Sequence, residues 1–373
     1  MRIARVEAAQ LDWGNGARPG PFSAFIRIET DDGTFGFGEA SPMEGGLASL
    51  VIVARHMAPF LIGKDPFDHA VLLDTLFHRC IKLGPEGAVT GALAGLDIAL
   101  WDIKGKTLGL PIHKLLGGAW RSEVPCYASI GGNAARSVDE VLRVVEARVA
   151  RENPTAVKIR WDGDRTRENV DIAGDIAKAK AVRRLLGDDF TIAFDANNGY
   201  SVGGAIRVGR ALEDLGYAWF EEPMEEASIS SYAWMANQLD IPVIGPEVAW
   251  GKHFTRAEWI RAGACDILRT GVHDVGGLTP ALKCVHLAES FNMDCEVHGT
   301  GAGNLTLCAV QPNGTWYERG LLHPHFDYDA CPDYLLHPED PIDAEGFVHL
   351  SDRPGLGQDV NWEWVKAHTV STH

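Results

Sequence analysis

Two kinds of hydrophobic pattern divide the chain. From Phe22 to Glu39, apolar and polar residues alternate on either side of Asp31-Asp32-Gly33. That is the period of half-buried strands joined by a tight turn, and it predicts a β-hairpin. Leu47 to Arg79 and Gly87 to Gly109 read as helical, so the first ~120 residues predict an α+β unit. Glycine-rich stretches at Gly14 to Gly20 and at Gly45-Gly46 predict loops, either mobile lids or plain surface connections.

From Val124 the pattern changes to short apolar runs alternating with amphipathic stretches. The runs predict strands at Val124–Ser129, Ala156–Arg160, Phe190–Phe194, Ala218–Phe220, Pro242–Ile244, Ile267–Arg269 and Met293–Val297, with a weaker one at Thr315–Tyr317. Helices are predicted at Val138–Arg151, Val170–Leu186, Gly203–Leu215 and Thr279–Phe291. Strands alternating with helices imply parallel βαβ units, and about eight of them imply an α/β fold of the (β/α)₈-barrel type. A doubly wound open sheet is the alternative, and it fits less well because no Gly-x-Gly-x-x-Gly opens the first unit. The tail from about Ala330 is rich in Pro and Asp, and Gly346 to Leu350 predicts one more short strand.

Composition narrows the function. The 373 residues are 46% hydrophobic and 23% charged, which suits a globular chain. With 34 Lys+Arg against 51 Asp+Glu the formal charge is −17, which argues against nucleic acid or an anionic membrane as a partner. Asp97 and Asp102 interrupt the best candidate for a membrane span, Ala92 to Leu110. Met1 to Glu7 lacks the apolar run of a signal peptide, and the seven Cys contain no Cys-x-x-Cys. Together these predict a cytoplasmic protein with reduced thiols that acts on a small molecule.

Three predicted strands end in acids. Asp195 follows the third, Glu221 the fourth and Glu247 the fifth, at equal steps of 26 residues, one βα unit per step. Equivalent positions on consecutive parallel strands are neighbours, at the face where barrel active sites lie. Three adjacent carboxylates repel one another unless a cation sits between them. Oxygen-only ligands on rigid strands favour a hard divalent ion, Mg²⁺ ahead of Mn²⁺.

Further motifs accompany the ladder: Ala94-Gly95-Leu96-Asp97-Ile98-Ala99-Leu100-Trp101-Asp102, Leu115-Leu116-Gly117-Gly118, Val157-Lys158-Ile159-Arg160, Phe194-Asp195-Ala196-Asn197, Glu221-Glu222-Pro223, Gly276-Gly277 and Gly355-Leu356-Gly357. With them the chain resembles the enolase superfamily, in its mandelate racemase/muconate lactonizing enzyme-like branch, over nearly its whole length. The resemblance implies an α+β capping domain at residues 1–120, a barrel at 121–328 and a C-terminal segment at 329–373 that returns to the cap. It implies Mg²⁺ on Asp195, Glu221 and Glu247, abstraction of a proton α to a carboxylate through an enediolate, and a homo-oligomer.

By the same resemblance, Lys158 holds the substrate carboxylate, and His298 is the acid or base on one face of the α-carbon. Glu318 hydrogen-bonds the substrate carboxylate in protonated form, its alternative being a salt bridge to Arg319. Asn197 contacts substrate or a metal-bound water. Arg160 stands where the racemase pattern has a second Lys. A guanidinium keeps its proton, so Arg160 is a poor base and either a clamp for substrate oxygens or a structural ion pair. The acid that partners His298 in the pattern falls at Gly271, which leaves Asp274, another acid or none to orient the imidazole. Trp13 and Trp250 are candidates to line the pocket. One competent base suits dehydration of a polyhydroxy sugar acid, aldonate or aldarate, to a 2-keto-3-deoxy acid. A racemase or epimerase, a lactone cycloisomerase and a non-catalytic sugar-acid-binding relative are the rivals.

Overall fold

A computed structural model describes residues 1–12, 22–41, 46–84, 86–161, 166–320 and 333–372. The loop at Gly14–Gly20, Trp13 and Gly45 lie outside them. Strands β1 (Ile3–Asp12), β2 (Phe22–Thr30) and β3 (Phe35–Ser41) form an antiparallel sheet. The β2–β3 turn is closed by the Asp32 carboxylate, which accepts from Thr34 N–H at 3.1 Å and from the Thr30 hydroxyl at 2.7 Å.

The predicted helix from Leu47 to Arg79 is broken into pieces. It runs over Gly46–Ile52, widens to a π turn at Val53–Met57, ends after Ala58–Leu61, and resumes at His69–Cys80. Gly63 takes φ +78° at the break. Asp65 caps the next turn by accepting from Phe67 N–H, just before Pro66, which disfavours a helical residue ahead of it. The helix Ala88–Leu108 is buried on nearly every side because it lies between the cap sheet and the barrel. The two acids that interrupt its apolar run are tie points. The Asp102 carboxylate accepts from Phe37 N–H and Leu356 N–H, while Asp97 bonds to Thr279.

Eight parallel strands build the barrel: β4 (Glu123–Ile130), β5 (Ala156–Arg160), β6 (Thr191–Asp195), β7 (Phe220–Glu221), β8 (Val243–Gly245), β9 (Ile267–Thr270), β10 (Cys295–Val297) and β11 (Tyr317–Arg319). They pair in chain order from β4 to β10, and β11 returns to pair with β4. The doubly wound alternative is thereby excluded. Among the described residues β10 and β11 share no ladder; instead the Glu296 carboxylate on β10 accepts from Thr315 N–H and Trp316 N–H. This explains why β11 starts two residues later than predicted: the amides of Thr315 and Trp316 are taken by a side chain.

The C-terminal segment contributes β12 (Phe347–His349), antiparallel to β4, and β13 (Thr369–Thr372), antiparallel to β1. Tyr334, Leu335 and Val365 pack with Leu11, Phe25 and Phe37 in a small core against the cap sheet. Among the described residues no helix is long and apolar enough to cross a membrane.

Candidate active site

The C-terminal ends of the barrel strands bring most of the candidates together. Side chains alternate along a strand, so Lys158 and Arg160 share one face of β5. Arg160, Asp195 and Glu221 are direct register neighbours across β5, β6 and β7. Glu247 follows β8, His298 follows β10 and Glu318 lies on β11. All of these but His298, which is partly exposed, are at least nine-tenths buried, so their charges must compensate one another.

Two cations thread the acids together. Lys158 Nζ lies 3.4 Å from Asp195 Oδ2, 3.0 Å from Glu221 Oε1 and 2.8 Å from Glu318 Oε1. Arg269, which the sequence reading did not single out, reaches Glu221 and Glu318 at 2.7 Å each and Glu247 at 3.6 Å. Its guanidinium also donates to the Tyr127 hydroxyl and to Val297 O. Trp219 Nε1–H donates to the second Glu221 oxygen at 3.0 Å. The sign of Arg269's role is its placement: a charge inside the apolar run Ile267-Leu268-Arg269 on a strand whose neighbours carry acids.

Among the described residues, no three acidic, His or Cys side chains close into a metal cage, because Lys158 and Arg269 insert between the ladder carboxylates. The donor set nevertheless suits a hard divalent cation. It is all carboxylate oxygen, borne on three adjacent strands. Burial, with the Glu221 charge adding to it, raises Asp195 to about 6 against the pull of Lys158 and Arg160. Burial raises Glu247 to about 8, with the Glu221 and Asp195 charges adding to it. Of the three ladder acids, Glu221 alone is held below its ordinary range; burial would raise it, but Arg269 and Lys158 prevail.

His298 has an acid partner. Its Nδ1 lies 2.8 Å from Asp274 Oδ2, and its Nε2 lies 3.4 Å from Glu247 Oε1. Burial would raise the Asp274 pKa, but His298 outweighs it and keeps the carboxyl ionised. A carboxylate only accepts, so Nδ1–H donates to it and Nε2 is left to exchange protons. The dyad acid has therefore moved three residues along the loop from the position held by Gly271. The reason is spatial. A Cβ on Gly271 would lie 2.1 Å from Asp274 Oδ2 and 2.7 Å from His298 O, so the carboxylate occupies the room a side chain there would need. Burial lowers the His298 pKa, while Asp274 and Glu247 raise it, and the net value is about 9.

Glu318 differs from expectation. Burial would raise its pKa, but Lys158 and Arg269 hold it well below the usual carboxylate range, so it is ionised rather than protonated. It accepts from Gly299 N–H at 3.1 Å. Arg319 is not its partner: strand alternation turns Arg319 the other way, toward Glu152 Oε1 at 3.3 Å. Asn197 takes φ +45°, its N–H donates to Asp195 Oδ1, and its side-chain amide donates to Glu222 at 3.5 Å. Glu222 also accepts from the Asn198 side chain and itself holds φ +40°, a strained backbone for a long side chain at the rim of a site. The loop bearing Glu247 is fixed from both sides. Glu226 accepts from the N–H groups of Glu247, Val248 and Ala249, and Arg256 donates to the carbonyls of Pro246 and Glu247. Trp250 is 63% exposed beside that loop, and Trp13 lies outside the described residues.

Comparison with known proteins agrees with this architecture. Residues 140–364 match the family described as Enolase C-terminal domain-like, and residues 20–117 match the mandelate racemase/muconate lactonizing enzyme N-terminal domain. The chain is 32% identical over 341 residues to the arabinonate dehydratase of Saccharolobus solfataricus, covering 89% of this chain and 87% of that one. A mandelate racemase/muconate lactonizing protein from Paracoccus denitrificans, crystallised with magnesium, superposes with a TM-score of 0.91 at 49% identity over 98% of both chains. D-glucarate dehydratase from Agrobacterium tumefaciens, also with magnesium, gives 0.88 at 40% identity over 100% of both. Two matched domains, a barrel with an antiparallel cap and a buried ring of strand-end charges converge: this chain belongs to the enolase superfamily, in its mandelate racemase/muconate lactonizing enzyme branch.

Proposed function

We propose that the protein is a Mg²⁺-dependent dehydratase that converts a polyhydroxy sugar acid, an aldonate or aldarate, into a 2-keto-3-deoxy acid. The observation that carries this reading is an asymmetry. One side of the site holds an imidazole oriented by Asp274, and the other holds Arg160, which keeps its proton where a second base would be required for racemisation. The relatives named as dehydratases support the same reaction class.

The α-hydrogen of a carboxylate is too weakly acidic for imidazole unless the charge formed on the carboxylate is stabilised. Mg²⁺ held by Asp195, Glu221 and Glu247 would supply a fixed positive charge for it. Lys158, at the floor of the site, adds an ammonium to the same end of the substrate. His298 Nε2 takes the α-proton, and the C–O bond to the β-hydroxyl then breaks. The same imidazolium returns its proton to the departing hydroxyl, so water leaves and the enol becomes the 2-keto acid. Engaging Glu247 as a ligand would remove one of the charges that raise His298, leaving the imidazole closer to the neutral form a base needs.

The test is incubation with panels of aldonates and aldarates in the presence of Mg²⁺, assayed for 2-keto acid. Keto acid is expected from at least one of them, lost with chelator and restored by Mg²⁺ or Mn²⁺. Inversion at the α-carbon without keto acid would favour an epimerase, lactone turnover a cycloisomerase, and a thermal shift without turnover a binding protein. Full activity in metal-free protein would overturn the ligand assignment.

Arg160→Lys separates a clamp from a second base. A clamp loses its bidentate fork, and KM is expected to rise roughly 10–100-fold, the worth of one or two hydrogen bonds to a charged group. Exchange of the α-hydrogen with solvent D₂O in that variant would instead mean that the fold needs only a lysine there to work from both faces.

A further inference from the structure

The barrel helix Leu278–Ser290 follows the turn that carries Asp274, and it lacks a cap of its own. Its N-cap residue is Gly277, which has no side chain to accept the first amides. The missing acceptor comes from the other domain. Asp97, fully buried in the capping helix, accepts Thr279 N–H at 2.8 Å through one oxygen and the Thr279 hydroxyl at 2.6 Å through the other. A Cβ on Gly277 would lie 2.4 Å from the Asp97 side chain, so only glycine admits the carboxylate.

The Thr279 hydroxyl is itself held from the cap. Trp101 Nε1–H donates to it at 3.0 Å. Lys104 donates to His69 Nδ1 at 2.6 Å, which makes Nδ1 the acceptor and sends the His69 Nε2 proton to the Thr279 oxygen at 3.1 Å. Both lone pairs and the proton of this hydroxyl are therefore used, and all three of these partners are cap side chains. On the barrel side, the turn closes through Gly277 N–H to Val272 O at 2.7 Å, and Val272 N–H donates to Asn304. Asp274 sits inside this closed turn, two residues before the glycine pair that Asp97 abuts.

We propose that Asp97 and Thr279 are positioning residues, through which the capping helix fixes the Gly271–Gly277 turn and so holds Asp274 on His298. The barrel would then be fully competent only with the cap docked. The proposal rests on the reading of His298 and Asp274 as the proton-transfer pair, but the hydrogen-bonded clamp can be tested without it.

The experiment compares Thr279→Val, Thr279→Ser and Asp97→Asn in the Mg²⁺-loaded full chain. Amide hydrogen exchange across Val272–Gly277 reads the turn, and steady-state kinetics on a turned-over sugar acid reads kcat and KM. In Thr279→Val, exchange in the turn is expected to quicken about tenfold while the barrel strands keep their protection, the size of one lost hydrogen bond. The same variant should lose about tenfold in kcat with KM nearly unchanged, and Thr279→Ser should recover both. Asp97→Asn should act like Thr279→Val, and if it does not fold the threonine pair still decides. Unchanged exchange in Thr279→Val would overturn the clamp whatever the activity. Faster exchange with unaltered kcat would overturn the link to Asp274. A chain in which His298→Asn retains turnover would refute the base assignment alone, and the exchange data would still report on the clamp.

Discussion

His298→Asn should fold, bind Mg²⁺ and lose 2-keto acid formation by at least 10²–10⁴-fold, the range for removal of a positioned general acid–base group. The loss is set at the top of that range because the same imidazole takes the α-proton and returns it to the leaving hydroxyl, so two steps fail together. Asn keeps a polar group of similar reach toward Asp274, which limits the cost of an unpaired buried carboxylate. Thermal melting with and without Mg²⁺ checks the fold and the site, and a keto-acid assay reads the chemistry. A variant that still forms keto acid near the parental rate would place the base on the Lys158 side and revive the racemase reading.

Asp274→Ala is expected to cost on the order of 10²–10⁴ in kcat, as loss of the acid that sets a catalytic imidazole's tautomer does elsewhere. The stronger test is to put an acid back at Gly271. Gly271→Asp alone should also be inactive, since a Cβ there would displace the Asp274 carboxylate it approaches to 2.1 Å. With Asp274→Ala as well, that carboxylate is gone, and the one close contact left for the Cβ is the His298 carbonyl at 2.7 Å, which a small shift of the turn must relieve. The double variant should recover at least tenfold over either single change, a coupling that distant, independent sites do not show. Losses that simply add, with no recovery, would mean that the turn accepts an acid only at its fourth residue. Loss of fold in the Gly271 variants, read by melting, would leave Asp274→Ala alone to decide the dyad, with retained kcat refuting it.

The carboxylate ladder was readable because one βα unit repeats with equal length, which returns Asp195, Glu221 and Glu247 to equivalent strand ends. The barrel was readable for the same reason, and its strands agree with the predicted runs to within a few residues. Arg269 was not, because a strand as short as Ile267–Thr270 carries too little alternation to show which face is inward. The protonated state expected for Glu318 follows from the same gap: without a guanidinium at 2.7 Å, a carboxyl among acids is protonated. Counting back from Gly276-Gly277 located the pattern's acid at Gly271 and could not show that the turn folds Asp274 over that spot. The break near Ile62 was signalled by Gly63 and Pro66, whose meaning was overridden by the apolar residues around them.

The pairing of β13 with β1 has a consequence for the order in which the molecule is made. Strand β1 leaves the ribosome ahead of every barrel strand, yet its outer neighbour, Thr369–Thr372, follows all of them. Until then one edge of the cap sheet offers unpaired amides and carbonyls, a surface prone to pairing with another chain. The whole barrel is synthesised in the interval, and closing a contact across so many residues is slow compared with forming the local βα units. Arg5, Glu7, Arg27 and Glu29 crowd the neighbouring strands with charge, which discourages foreign pairing while the edge waits. The sheet that borders the catalytic barrel is thus completed only after the barrel itself exists to be capped.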